Sequence, residues 1–153
     1  MSLAKKLTGA ILVVVAASGT GAIAQKNPYR HYTEEKFIKN MQTAGRNYAA
    51  VTDLLARSEY DPAKAQLTRA REQLAITITF WRDKKTDDAV KLLRDALLRM
   101  DDLDAALSTE TIQSSEINAA SQRVGVACEA CHARYRDQNP TTKSYRIKPG
   151  SVR

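Results

Sequence analysis

Residues 117–136 read INAASQRVGVACEACHARYR. Ile117, Ala120, Val124, Cys128, Cys131 and Tyr135 recur at intervals of three and four, which predicts an amphipathic helix with these residues on its inner face. Cys128-Glu129-Ala130-Cys131-His132 within it has the C-x-x-C-H pattern of a c-type haem attachment site. The spacing has a chemical reason. Two thiols add across the two vinyl groups of one porphyrin, so both sulfurs must lie on one side of the backbone. The following imidazole then reaches the iron. On a helix Cys128, Cys131 and His132 stand at i, i+3 and i+4, one face. One covalent haem c per chain is therefore expected, held by Cys128 and Cys131, with His132 as an axial ligand of the iron.

Two other uses of the cysteines fit less well. A thioredoxin-like redox pair needs a βαβ setting, and no strand-like alternation stands out. A structural zinc site takes four protein ligands. The chain offers Cys128, Cys131, His132 and the distant His31.

The N-terminus agrees with haem attachment. Lys5 and Lys6 precede an apolar run over 10–17, and Ala22-Ile23-Ala24 is an A-x-A cleavage site. Residues 1–24 read as a signal peptide, leaving a mature chain from Gln25. The run is short for a membrane anchor, and no other stretch is long and apolar enough to span a bilayer, so no membrane association is expected after cleavage. The expected location is the bacterial periplasm, and haem attachment of this type takes place outside the cytoplasm. Cleavage removes two lysines and no acid from a chain of formal charge +7. The remaining basic residues are dispersed, which does not suit nucleic-acid binding. A modest positive field suits steering of an acidic redox partner, and equally suits a plain solubilising surface charge.

Three further helices precede the motif helix. Thr33 is an N-cap, with Glu34 and Glu35 in the first turn and an apolar face of Phe37, Met41, Ala44, Tyr48, Val51 and Leu55. Asp61-Pro62 reads as N-cap and first position of a second helix carrying Leu67, Ala70, Leu74, Ile78 and Trp81. After the polar link Asp83-Lys84-Lys85, Thr86 caps a third helix with the seam Val90, Leu93, Leu97, Met100, Leu103 and Leu107. The fourth begins between Thr109 and Ser115 and ends at Asn139-Pro140. The fold class expected is all-α: an antiparallel up-down-up-down four-helix bundle over 25–138, with the haem in its core beside the cysteines. Residues 139–153, basic and without an acid, read as a mobile tail.

A C-x-x-C-H motif near the end of a four-helix chain, followed by Tyr135-Arg136, resembles class II c-type cytochromes, the cytochrome c-prime family. The resemblance spans about residues 30–138. It implies a covalent haem, the motif histidine as proximal ligand, and an arginine at the position of Arg136 near the haem and that histidine. Arg136 also follows His132 by one turn, placed to pair with a propionate or tune the iron, with a plain surface arginine as the competing reading. One departure is the link over 83–85, shorter than family members often have between helices two and three. The family often dimerises through helices one and two, so a homodimer stays open. Here the exposed faces of those helices are mixed polar.

The sixth iron position rests on helix one. Met41 lies on its inner face, and Met41-Gln42-Thr43-Ala44-Gly45 resembles the M-x-x-x-G of the family's low-spin, methionine-ligated members. A thioether sulfur stabilises ferrous iron and suits electron transfer. Gly45 would admit a flat macrocycle. The competing reading of Met41 is a flexible core filler. Phe37, Tyr48 and Tyr135 are further pocket candidates; Met100 and Trp81 read as core, and His31 as exposed. The expected function is a periplasmic monohaem cytochrome c that carries single electrons through a His132/Met41-ligated haem and is not an enzyme. The alternative is a five-coordinate haem protein binding nitric oxide or carbon monoxide, as the family's c-prime proteins do. A haem-based reductase or peroxidase-like activity is a weaker third reading, because helix one offers no inner-face histidine.

Overall fold

Thr33 opens the first helix as its sequence suggests: its hydroxyl oxygen accepts a hydrogen bond from the Lys36 amide at 3.3 Å. The computed structural model describes residues 32–152. The expected signal peptide, 1–24, and His31 lie outside the described residues. The chain is mostly helical: α1 Glu34–Ala56, α2 Tyr60–Ile76, a short α3 Ile78–Asp83, α4 Asp87–Ala106 and α5 Ser114–Tyr135, followed by β1 Arg136–Gln138 and β2 Tyr145–Ile147. Among the described residues no helix is long and apolar enough to cross a membrane.

α1 packs along α2, α4 along α5, and α2 crosses to α4. The apolar faces read from sequence form the core. Val51, Leu67, Leu103, Ile117 and Val124 are all at most 1% exposed. Burial of each such side chain is worth about 1.5–3 kcal/mol. Polar pairs set the register between helices. Asn40 Nδ2 donates to Gln73 Oε1 at 3.0 Å between α1 and α2, and the Arg71 guanidinium meets Asp101 between α2 and α4. The surface ion pair adds ~0–1 kcal/mol.

Three boundaries differ from the sequence reading. α2 starts at Tyr60 with Glu59 as its cap, so Asp61 and Pro62 are second and third helical positions rather than cap and first. Both still lie in the first turn, where a missing N–H costs no helical bond. The second helix is also broken. Thr77, fully buried, donates its hydroxyl to the Leu74 carbonyl at 2.6 Å, and its own N–H bonds Leu74 as well. The run Ile76-Thr77-Ile78-Thr79 is β-branched throughout, which weakens helix propensity, and back-bonding of this kind bends helices. The restart as α3 places Phe80 and Trp81 in the core, each 1% exposed.

The third difference lies after the motif. α5 ends at Tyr135, not at Asn139-Pro140, because Arg136 turns extended (φ −98°, ψ 134°). Residues 136–138 pair antiparallel with 145–147, Asp137 opposite Arg146. Thus the segment expected as a tail carries the second strand of a hairpin, and the described residues are not helix alone. Asn139 organises the turn: its Oδ1 accepts from the amides of Thr141 and Thr142, both at 2.9 Å, and Lys143 takes φ 58°. The Lys148 amide donates to the Tyr135 carbonyl at 2.8 Å, tying the strand to the end of α5. Ile147 and Val152 then pack on the core.

Candidate functional site

The inner face of α5 near its C-terminus opens onto a cavity of about 520 Å³. Its volume falls within the range of roughly 300–1,000 Å³ typical of sites for organic ligands and cofactors. Cys128, Cys131 and His132 all line it, so the motif residues share one face as the helical spacing requires. α1 contributes Phe37, Met41, Gly45 and Tyr48. Tyr135 and Arg136 line it as well. The cavity therefore gathers every site residue expected from sequence.

Both cysteines are free thiols, half-buried and packed against the core. Burial pushes the Cys131 thiol up to about 11, helped by Cys128 and Asp88. Cys128 is raised too, by burial and then Glu129, against the opposing charge of Arg136. Thiols held protonated are poor partners for disulfide exchange, which proceeds through thiolate.

His132 is largely buried. Its Nδ1 is enclosed and has no hydrogen-bond partner; Glu129 Oε1, at 3.9 Å, is beyond hydrogen-bond reach. Burial, then the positive charge of Arg136, lowers the imidazole pKa, with Glu129 opposing. A neutral imidazole is the form that donates a lone pair to a metal.

Met41 is half-buried and packs against the core on α1. The Tyr48 hydroxyl, two turns further along, donates to the Ser121 carbonyl oxygen at 2.8 Å and lies 3.1 Å from the Ser121 hydroxyl. Away from this bond, α1 and α5 touch sparsely, and the cavity lies where helix–helix packing would otherwise be. Gly45 lines the cavity, and a Cβ there would meet no atom within 4 Å. A helix-interior glycine costs about 1 kcal/mol against alanine. Close packing inside the protein does not account for it.

Phe37 is buried at one wall. Its ring stacks on Phe80 at 4.4 Å and meets Trp81 edge-on at 5.0 Å, and Trp81 tilts against Tyr135 at 4.8 Å. Such contacts fix the wall geometry. Tyr135 has a polar anchor: its hydroxyl donates to Asp88 Oδ2 at 2.5 Å, and Arg134 pairs with the same oxygen at 2.7 Å. Arg136, partly exposed, lies over the Tyr145 ring at 4.7 Å and 3.9 Å from Glu129.

The structure adds residues that sequence reasoning passed over or assigned to the core alone. Met100 and Trp81 are core residues that also line the cavity, with Leu93 and Ala96 of α4 beside them. Their three- and four-residue spacing marked a seam but could not separate a wall from a core. Arg46, Tyr145, Arg146 and Ile147 line the cavity too.

The donor set fits a haem. A porphyrin supplies four nitrogens of its own, so the protein need add only axial ligands, and His132 and Met41 are available on one cavity with two thiols for attachment. Among the described residues no three His, Cys, Asp or Glu side chains are gathered to hold a bare metal ion. No family model, curated protein or solved structure matches this chain.

Proposed function

We propose that the chain is an exported monohaem cytochrome c of the class II type, a single-electron carrier rather than an enzyme. In this reading its four long helices form an antiparallel up-down-up-down bundle with the haem between α1 and α5, and the protein works in the periplasm with acidic redox partners. One observation carries the reading. Cys128, Cys131 and His132 on α5 and Met41 on α1 line a single cavity, at a place where those two helices are otherwise held apart. The Tyr48–Ser121 bond supports the opposed direction of α1 and α5. Met41 lies two turns before Tyr48, and Cys128 two turns after Ser121, yet both reach the same cavity.

A bound haem supplies one-electron cycling between Fe(III) and Fe(II). The rest falls to the chain. Cys128 and Cys131 would hold the haem by adding S–H across its two vinyl groups, sulfur to one carbon and hydrogen to the other, with no net oxidant. His132 offers a neutral imidazole, kept so by burial and Arg136. Met41 offers a thioether that favours the ferrous state. Phe37, Trp81 and Leu93 give the cavity apolar walls.

Absorption spectra of the purified protein in both redox states test the reading. Sharp low-spin bands, with the weak red sulfur-to-iron band when oxidised, are expected. A high-spin spectrum that shifts on adding carbon monoxide would favour the five-coordinate, gas-binding alternative instead.

A further inference from the structure

Three cations line the cavity, Arg46, Arg136 and Arg146, and no Asp or Glu does. The three are not equivalent. Arg146 is already engaged: its Nε and one terminal nitrogen bond Asp137 Oδ2 at 2.9 and 2.8 Å across the hairpin. Arg46 donates to the Thr43 hydroxyl at 3.1 Å on its own helix, and among the described residues it has no carboxylate within salt-bridge distance. Arg136 reaches only the outer Glu129, at 3.9 Å, and its guanidinium is propped on the Tyr145 ring. Arg46 and Arg136 are exposed while the walls behind them are apolar, so both stand at the solvent-facing rim. They come from different elements, α1 and β1. A pocket built this way takes a flat apolar body with an anionic edge.

We infer that Arg46 and Arg136 are the binding residues for the two carboxylates of a porphyrin at the cavity mouth, and that Tyr145 of the hairpin is a positioning residue for Arg136. The inference rests on the haem reading and extends it. Arg46 has no role in that reading, and the hairpin becomes part of the cofactor site. Guanidinium–carboxylate pairs are charge-assisted and directional. The ring under Arg136 holds the guanidinium plane by a cation–π contact.

The test uses the full-length Cys128→Ala/Cys131→Ala chain, titrated with haemin and with haemin dimethyl ester. The diacid should bind at least about tenfold more tightly, a factor in the range of one retained charge-assisted pair. Arg46→Gln/Arg136→Gln should collapse that preference to about twofold or less, by weakening the diacid far more than the ester. Tyr145→Leu should lose part of the preference and Tyr145→Phe should keep it, since the ring alone is required. Equal affinity of the parent for diacid and ester, or an undiminished preference in the double arginine variant, would overturn the inference. A second readout uses the covalently loaded protein. Losing the cations should raise the carboxylate pKa values, moving the pH-dependent step of the midpoint potential upward; an unmoved step would count against the assignment. If neither form binds, and the wild-type chain expressed with an attachment system carries no haem, the haem reading falls and takes the inference with it. Binding of both forms alike overturns the inference alone.

Discussion

The Tyr48 hydroxyl donates to the Ser121 carbonyl oxygen at 2.8 Å and joins α1 to α5 beside a cavity that otherwise separates them. Burial raises the Tyr48 pKa, although Ser121 draws it back, so the phenol remains a donor throughout the neutral range. Tyr48→Phe keeps the ring and deletes the bond. Urea unfolding should place the variant about 1 kcal/mol below wild type. No loss of stability would mean that the bond does not hold the two helices.

The Tyr135–Asp88 pair predicts a pH profile. The hydrogen bond from Tyr135, then the charge of Arg134, holds the Asp88 carboxyl below its ordinary 3.8. A carboxylate lowered in the folded state contributes stability that is complete above its unfolded value and lost as pH falls through the folded one. Burial, then the Asp88 bond, pushes the Tyr135 phenol up from 10.0 to about 12. Its contribution is complete below 10.0 and lost as pH climbs towards about 12. Tyr135→Phe should flatten that alkaline loss, read as urea midpoints across the window, and Asp88→Asn should weaken the acid limb. An alkaline limb of unchanged slope in Tyr135→Phe would assign the loss to other groups.

Gly45 and Gly125 make a matched pair of tests. Both are helical, and at neither would a Cβ meet an atom within 4 Å; only Gly45 lines the cavity. Alanine at Gly125 should stabilise the haem-loaded protein by about 0.5–1 kcal/mol. Alanine at Gly45 should stabilise the haem-free chain similarly but lose that gain, or reverse it, once haem is attached. Equal gains at both positions in the loaded protein would show that no group approaches Gly45.

Much of this architecture was legible because helical periodicity is long-range and redundant. Phe37, Ala44, Val51 and Leu55 of α1 are all buried, as their spacing requires. The motif residues share a cavity for the same reason. The break at Thr77 escaped notice because a β-branched run only weakens a helix, while a buried hydroxyl bonding a carbonyl is a tertiary outcome. The hairpin escaped because three-residue strands carry no usable alternation. Tyr145, Arg146 and Ile147 gain meaning only when Gln138, Asp137 and Arg136 stand opposite them. Nothing in the sequence singles out Arg46 among the dispersed basic residues, and its place on the cavity depends on how α1 and α5 diverge.

Attachment through thioethers makes a separate claim. Haem in the wild-type protein should survive acid–acetone extraction. Cys128→Ala/Cys131→Ala should release all of it, and each single variant should retain one bond and a shifted reduced-state band. Retention by the double variant would refute the thioether assignment.

Pairing of Met41 with His132 across the cavity decides between electron transfer and gas binding, and the oxidised absorption spectrum of wild type beside Met41→Ala reads it out. Wild type should give a low-spin spectrum with the weak red sulfur-to-iron band, and Met41→Ala should lose that band and convert to high spin. A wild-type spectrum that is already high spin, or one that Met41→Ala leaves unchanged, would contradict the pairing.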